Sequence, residues 1–254
     1  MDGRMKTPTP PMQAVPDHQE LMTTGFLLVE PATLAHVPDL AALDMRACTP
    51  RVLAHREELM PRLIDLAALD LKGRRIATER WQEEPEVERP PAICAWIDSA
   101  ADVDALAEHI ARYLVGPGEG GQPVFWRYYD PRVLSLTLAE FDPTQRLALL
   151  GPVHEWCFAW AGHRWRSAGL GADIVPPDDQ QSGWPRPDQW PRINRSEIAD
   201  QIRRRLPALS VDQAAQLPAA LDQVLCSAGG QDAMTTDALV DDAVKRMQHA
   251  FLTE

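Results

Sequence analysis

The sequence predicts an α/β fold. An N-terminal lobe is built on a small, at least partly parallel sheet flanked by helices, and a mainly helical C-terminal lobe follows. Three observations carry this. Short apolar and β-branched runs at residues 24–30, 92–97 and 124–129 read as strands. The succession strand, helix, strand between residues 92 and 129 implies a right-handed crossover, and with it a parallel pair. Beyond residue 195 the apolar spacing is helical throughout.

Each element has its own signals. Residues 1–20 hold Pro8, Pro10, Pro11 and Pro16 among polar residues, without the continuous apolar stretch of an export signal, and are expected to be a disordered leader. The run TGFLLVE at 24–30 ends at Pro31, residues 33–47 read as loop and helix, 51–58 as helix, and 61–71 as opening with a strand. Residues 73–91, rich in Glu and closed by Pro90-Pro91, read as a solvated connection. After the strand at 92–97, Val103, Leu106, Ile110 and Leu114 recur three or four apart, the footprint of an amphipathic helix. The loop GPGEGG at 116–121 leads into the run FWRYYDPRVL at 125–134.

That run carries most of the information. Its aromatic first half suits a covered strand. Asp130 and Pro131 then open a helix, the one by accepting a backbone N–H, the other by filling a position where a missing donor costs nothing. Asp142-Pro143 repeats the device, and Gly151-Pro152 closes the second helix. Trp156, Phe158 and Trp160 follow on a third apolar segment, read as helix packing.

Beyond residue 165 the character changes. Residues 166–195 form a Pro- and Trp-rich connection containing Trp184 and Trp190, expected as an ordered wrap or linker. In residues 196–254, Ser196 begins one helix, Ser210 caps a second that contains Pro218, and Thr235 or Thr236 caps a third with Met247 and Phe251 on its apolar face. Such helices must bury that face, on the preceding lobe or on a partner.

Composition sets the outer limits. With 254 residues, 45% of them hydrophobic, the chain supports a sizeable core. A net charge of −12 opposes a general grip on phosphate backbones. Cys48, Cys94, Cys157 and Cys226 form no CxxC pair and are expected to be reduced, buried apolar residues. No stretch approaches a membrane span.

The segment FWRYYDPRVL, with FDPTQ, LLGPV and Trp156 after it, resembles the signature of the type VI secretion effector-chaperone family, whose members are also called adaptors. The resemblance is sharp over residues 122–160 and looser back to residue 24; Trp126 and Tyr128 are bulkier than the pattern. It places the signature at Phe125, Arg127, Tyr129, Asp130, Pro131, Arg132, Gly151, Pro152 and Trp156. It implies an adaptor domain over residues 21–165 that works in the cytoplasm by binding alone. Its partners would be a secreted effector and the secretion spike protein, with no cofactor, metal, nucleic acid or membrane. Trp184, Trp190, Met247 and Phe251 are candidate partner contacts, with burial in the core as the other reading.

Other chemistries find less support. His154, Glu155 and His163 lack HExxH spacing, and a small metal-dependent hydrolase would need them, with Asp130, to converge in a pocket. GPGEGG lacks the Lys-Ser/Thr of a phosphate loop. A protein-binding regulator unrelated to secretion is the remaining alternative. Arg127, Asp130 and Arg132 form either an anion-binding or acid–base cluster or a helix cap neutralised by arginine. In a regular strand Asp130 would lie opposite Arg127, so their pairing requires a turn.

Overall fold

The computed structural model describes residues 11–16, 20–86, 90–169, 180–228 and 236–252. Its strands are β1 (Gln13–Val15), β2 (Phe26–Val29), β3 (Arg46–Ala47), β4 (Arg62–Asp65), β5 (Ile93–Ser99), β6 (Val115–Pro117), β7 (Pro123–Phe125), β8 (Val153–Trp160) and β9 (His163–Ala168). Its α-helices are α1 (Pro38–Ala41), α2 (Leu71–Glu83), α3 (Val103–Arg112), α4 (Pro131–Glu140), α5 (Pro143–Leu150), α6 (Trp190–Ile193), α7 (Ser196–Arg205), α8 (Val211–Ala228) and α9 (Thr236–Leu252). Short 3-10 turns include Arg51–Leu59, read from the sequence as helix.

The main sheet has seven strands in the order β1-β9-β8-β5-β2-β4-β3, and every pairing is antiparallel. The expected parallel pair is therefore absent from it. The reason lies in the chain after α3. Instead of returning to the sheet, it forms a separate two-stranded hairpin of β6 and β7, then turns at Arg127–Asp130 with the Asp130 N–H donating to the Arg127 carbonyl at 3.0 Å. Only after α4 and α5 does it re-enter the sheet, as β8 running antiparallel beside β5. The covered strand expected at 124–129 is a strand only to Phe125. Trp126, Tyr128 and Tyr129 are buried side chains of the following turn, which is why their burial does not alternate.

Two corrections concern periodicity. Residues 153–160 are a strand, not a helix. Trp156, Phe158 and Trp160 point into the main core at every second position, while Cys157 faces the other side of the sheet. Residues 71–83, within a stretch expected to be mostly a solvated connection, are a helix. Asp70 caps it, accepting the Gly73 N–H at 2.7 Å, and it buries Ala77 and Trp81. Buried Arg164 stacks its guanidinium 4.6 Å above the Trp81 ring. Glu84, buried beyond the helix, accepts the N–H groups of Ala92 and Ile93 and so ties α2 to the start of β5.

Strand β2 is buried on both faces. Leu27 and Val29 join a cluster with Ile64, Ala77 and Trp81, whereas Phe26 and Leu28 join the main core. That main core continues without a break through Leu106, Ile110, Leu134 and Trp156 to Ile202, Leu221, Val240 and Met247. The C-terminal helices thus bury their apolar faces on the preceding fold, with α7 and α8 against α4 and α9 against α7 and α8. Ser210 caps α8 as the sequence predicts, exchanging hydrogen bonds with Gln213. Thr235 and Pro176-Pro177 lie outside the described residues. Strand β1 lies inside the stretch expected as a leader. It pairs with β9, and just before it Met12 is buried and the Pro11 carbonyl accepts Ser167 Oγ at 3.0 Å.

Candidate functional site

The signature residues gather where β2 ends and α4 begins. Asp130 occupies the N-cap of α4 with an extended backbone, and its Oδ1 accepts the Arg132 N–H at 3.0 Å. The same carboxylate takes the Arg132 guanidinium two-pronged, Nε to Oδ1 at 2.9 Å and Nη2 to Oδ2 at 2.6 Å. The turn at 127–130 brings Arg127 back beside it. Arg127 Nη2 lies 3.4 Å from Asp130 Oδ2 and donates to Glu30 Oε2 at 2.6 Å. Tyr129 Oη donates to that same Glu30 oxygen at 3.0 Å, and Glu30 Oε1 accepts the Ala32 N–H. Both carboxylates are buried, so each charge is matched by two or more donors in a place where an unmatched one would be costly. The network anchors the start of α4 to the end of the sheet's β2 strand.

Its electrostatics are those of a locked ion-pair cluster. Burial alone would lower the Arg127 guanidinium, yet Glu30 and Asp130 hold it above its ordinary value. The hydrogen bonds that Arg132 donates to Asp130 hold its guanidinium well above its own. Burial, reinforced by Glu30, pushes the Tyr129 phenol far above the usual range. None of these three groups is poised to exchange a proton near neutral pH.

The other signature positions are structural in different ways. Gly151 has φ +54° and ψ −117°, and a Cβ there would overlap the His109 imidazole, with Nδ1 at 2.7 Å and Cε1 closer. His109, buried, has Nε2 2.9 Å from the Leu149 carbonyl, and burial lowers its pKa to about 4. The Pro152 carbonyl accepts Ser99 Oγ at 2.8 Å, Pro131 fills the first turn of α4, and Trp156 packs on Tyr128 with ring centroids 6.1 Å apart. Phe125 is the exception, 40% exposed at the end of β7.

The candidate partner contacts fall mostly in the interior. Trp184 and Trp190 stack edge-on against Trp126, at 5.1 and 5.8 Å, and are buried with it. The Gln145 and Gln189 side-chain amides bond to each other beneath them, Gln145 Nε2 also donating to the Trp184 carbonyl. Met247 is buried in the core. Phe251 belongs to the last turn of α9, and its side chain lies outside the described residues.

The hydrolase set does not converge. His154 Nδ1 sits 3.4 Å from Asp98, Glu155 pairs with Arg166 at 2.9 Å, and His163 Nε2 is 2.8 Å from the Leu209 carbonyl at the far end of the hairpin. Among the described residues no group of three or more His, Cys, Asp or Glu is arranged to hold a metal ion. Cys48, Cys94 and Cys157 are free and buried; burial raises the Cys157 thiol to about 12. No described helix is long and apolar enough to cross a membrane.

Two residues of the site gave no signal in sequence, Glu30 and Asp200. Glu30 stands 97 positions before Arg127, its only hint being a charge at the end of an apolar run. Asp200, on α7, meets Arg132 Nη1 at 3.8 Å and looked like any acidic residue on a helix.

Residues 26–148 match a domain family described as a domain of unknown function, DUF4123. The match spans just under half of the chain, from the start of β2 to a point within α5, and includes the whole Arg127–Arg132 segment. Comparisons with curated proteins and with solved structures return no match.

Proposed function

We propose that the protein is a non-catalytic adaptor that holds a type VI secretion effector in the cytoplasm and helps load it onto the spike protein of the secretion apparatus. The observation that carries this reading is the overlap of a family match and a signature resemblance on one segment of sequence. The DUF4123 match covers the signature from Phe125 to Arg132, with Gly151, Pro152 and Trp156 lying just beyond it. The geometry is compatible with it. The signature's charged groups pair with one another and with Glu30, which accounts for their role in fixing the start of α4 without invoking catalysis.

The test is a pull-down with the tagged full chain from the bacterium that encodes it, under conditions where the secretion system is expressed, with mass spectrometry of the bound proteins. Recovery of a toxin-like effector, with or without a spike protein, is the expected result. Recovery of neither overturns the reading in favour of a regulator or an enzyme.

A further inference from the structure

A polar cleft lies between the start of α4, the last turns of α7 and the β8–β9 turn. Arg132, Arg203 and Arg204 converge there on a single carboxylate, Asp200, whose side chain is only 12% exposed. Arg204 donates from Nε at 2.8 Å, Arg203 Nε lies at 3.5 Å, and Arg132 Nη1 at 3.8 Å. Both α7 arginines therefore turn the Nε edge of the guanidinium to Asp200. Their Nη ends make no hydrogen bond among the described residues, although both side chains line the cleft. Arginine in the last turn of a helix is favoured by the helix dipole, which accounts for the charge but not for two unused forks facing one groove.

The facing wall is unlike a polyanion site. It includes Pro85, Pro131, Trp160 and the tight turn Ala161–Gly162, with Glu86 beside them and the buried Glu84 carboxylate spent on the Ala92 and Ile93 N–H groups. Ala161 and Gly162, at φ +55° and +80°, are the two-residue loop that joins paired Trp160 and His163, so that turn is set by the hairpin. The chain's net charge of −12 weighs against a run of phosphates far more than against a single carboxylate, because the repulsion grows with the charge brought in. A lone carboxylate flanked by apolar groups suits both walls: two-pronged bonds to the arginine forks and contact with proline and alanine.

We propose that this cleft binds a carboxylate side chain on an extended, acidic and otherwise apolar segment of a protein partner. Under the adaptor reading, on which this rests, the segment belongs to the cargo. The probe is a fluorescein-labelled peptide repeating Leu-Glu-Pro, with a Leu-Lys-Pro counterpart, titrated against the full chain by fluorescence polarisation. The acidic peptide is expected to bind and the basic one not, and R203Q/R204Q is expected to weaken binding about tenfold or more. Arg51→Gln, remote from the cleft, should leave it unchanged. If the double variant melts lower than the parent, Arg204→Gln alone, the more exposed of the two, is read in its place. Equal binding of both peptides, or an acidic peptide indifferent to the arginine variants, overturns the proposal. Displacement by inorganic phosphate where acetate at the same concentration has no effect also overturns it, and assigns the cleft to phosphate. An effector captured equally by parent and double variant sinks the cleft while leaving the adaptor reading intact; no effector captured by the parent sinks the adaptor reading instead.

Discussion

Substituting Gly151 by alanine tests whether a signature glycine is there for shape. At φ +54° and ψ −117° the backbone lies where residues with a Cβ are strained, at a cost of about 1–3 kcal/mol. The new Cβ would also overlap the His109 ring, forcing the imidazole off the Leu149 carbonyl. Breaking that buried hydrogen bond and leaving its acceptor unmatched adds about 1–3 kcal/mol, for a total of about 2–6 kcal/mol. The assay is urea denaturation followed by tryptophan fluorescence on Gly151→Ala, His109→Ala and the double variant. With the ring removed, only the backbone strain should remain. The alanine at 151 should then cost about 1–3 kcal/mol less in the His109→Ala background than in the parent. Penalties that add to within about 0.5 kcal/mol would refute the steric account. So would a Gly151→Ala protein as stable as the parent.

Other expectations follow from the same geometry. Asp130→Ala removes a helix cap and both prongs of a buried ion pair and should cost about 2–4 kcal/mol; unchanged melting with lost effector capture would refute the structural role. Tyr129→Phe deletes one hydrogen bond to the Glu30 carboxylate and should cost about 1–3 kcal/mol by urea titration, a neutral result meaning that Arg127 alone satisfies it. His109 has a folded pKa lowered to about 4, so between that value and its ordinary one the unfolded chain binds the extra proton. Stability from this group is therefore complete above pH ~6.5 and falls by about 3 kcal/mol as pH drops to ~4, and His109→Gln should flatten that part of the profile. Trp184→Ala should cost about 3–5 kcal/mol, read as a lowered urea midpoint, because it empties the aromatic nest around Trp126.

Capping was the most readable layer of this sequence. Asp130 and Asp142 each announce a helix through a local rule, and each side chain accepts the N–H that the rule assigns it. Strands β2, β4 and β5 were visible because apolar runs bounded by proline or charge have few other uses. Residues 124–129 defeated the same logic. A run of aromatics has the composition of a strand, but here the neighbours Tyr128 and Tyr129 are both buried, which a pleated strand with one covered face does not allow. In β8 the signal was present and misread: aromatics at 156, 158 and 160 repeat every second residue, a strand's period, and only the crowding of tryptophans drew attention to helix packing. In α2 charge masked the spacing of Ala77 and Trp81, one helical turn apart. The signature polar residues were identifiable individually, but Glu30 and Asp200 are supplied by distant parts of the chain, and no local pattern reports an ion pair across that separation.

The order of strands has a consequence for anyone who would trim the molecule to its matched segment. A fragment covering residues 26–148 ends before β8 and β9, and β8 is the neighbour on which β5 closes. Such a fragment would carry β5 with one side bare, its backbone donors and acceptors open along Trp96–Ser99, an invitation to self-association rather than a soluble unit. It would also lack Trp156 and Phe158, the side chains on which α4 and α5 rest. The segment most readily recognised in this chain is thus shorter than the segment that folds, and cloning boundaries belong outside both β1 and α9, because α7, α8 and α9 share the core of the sheet.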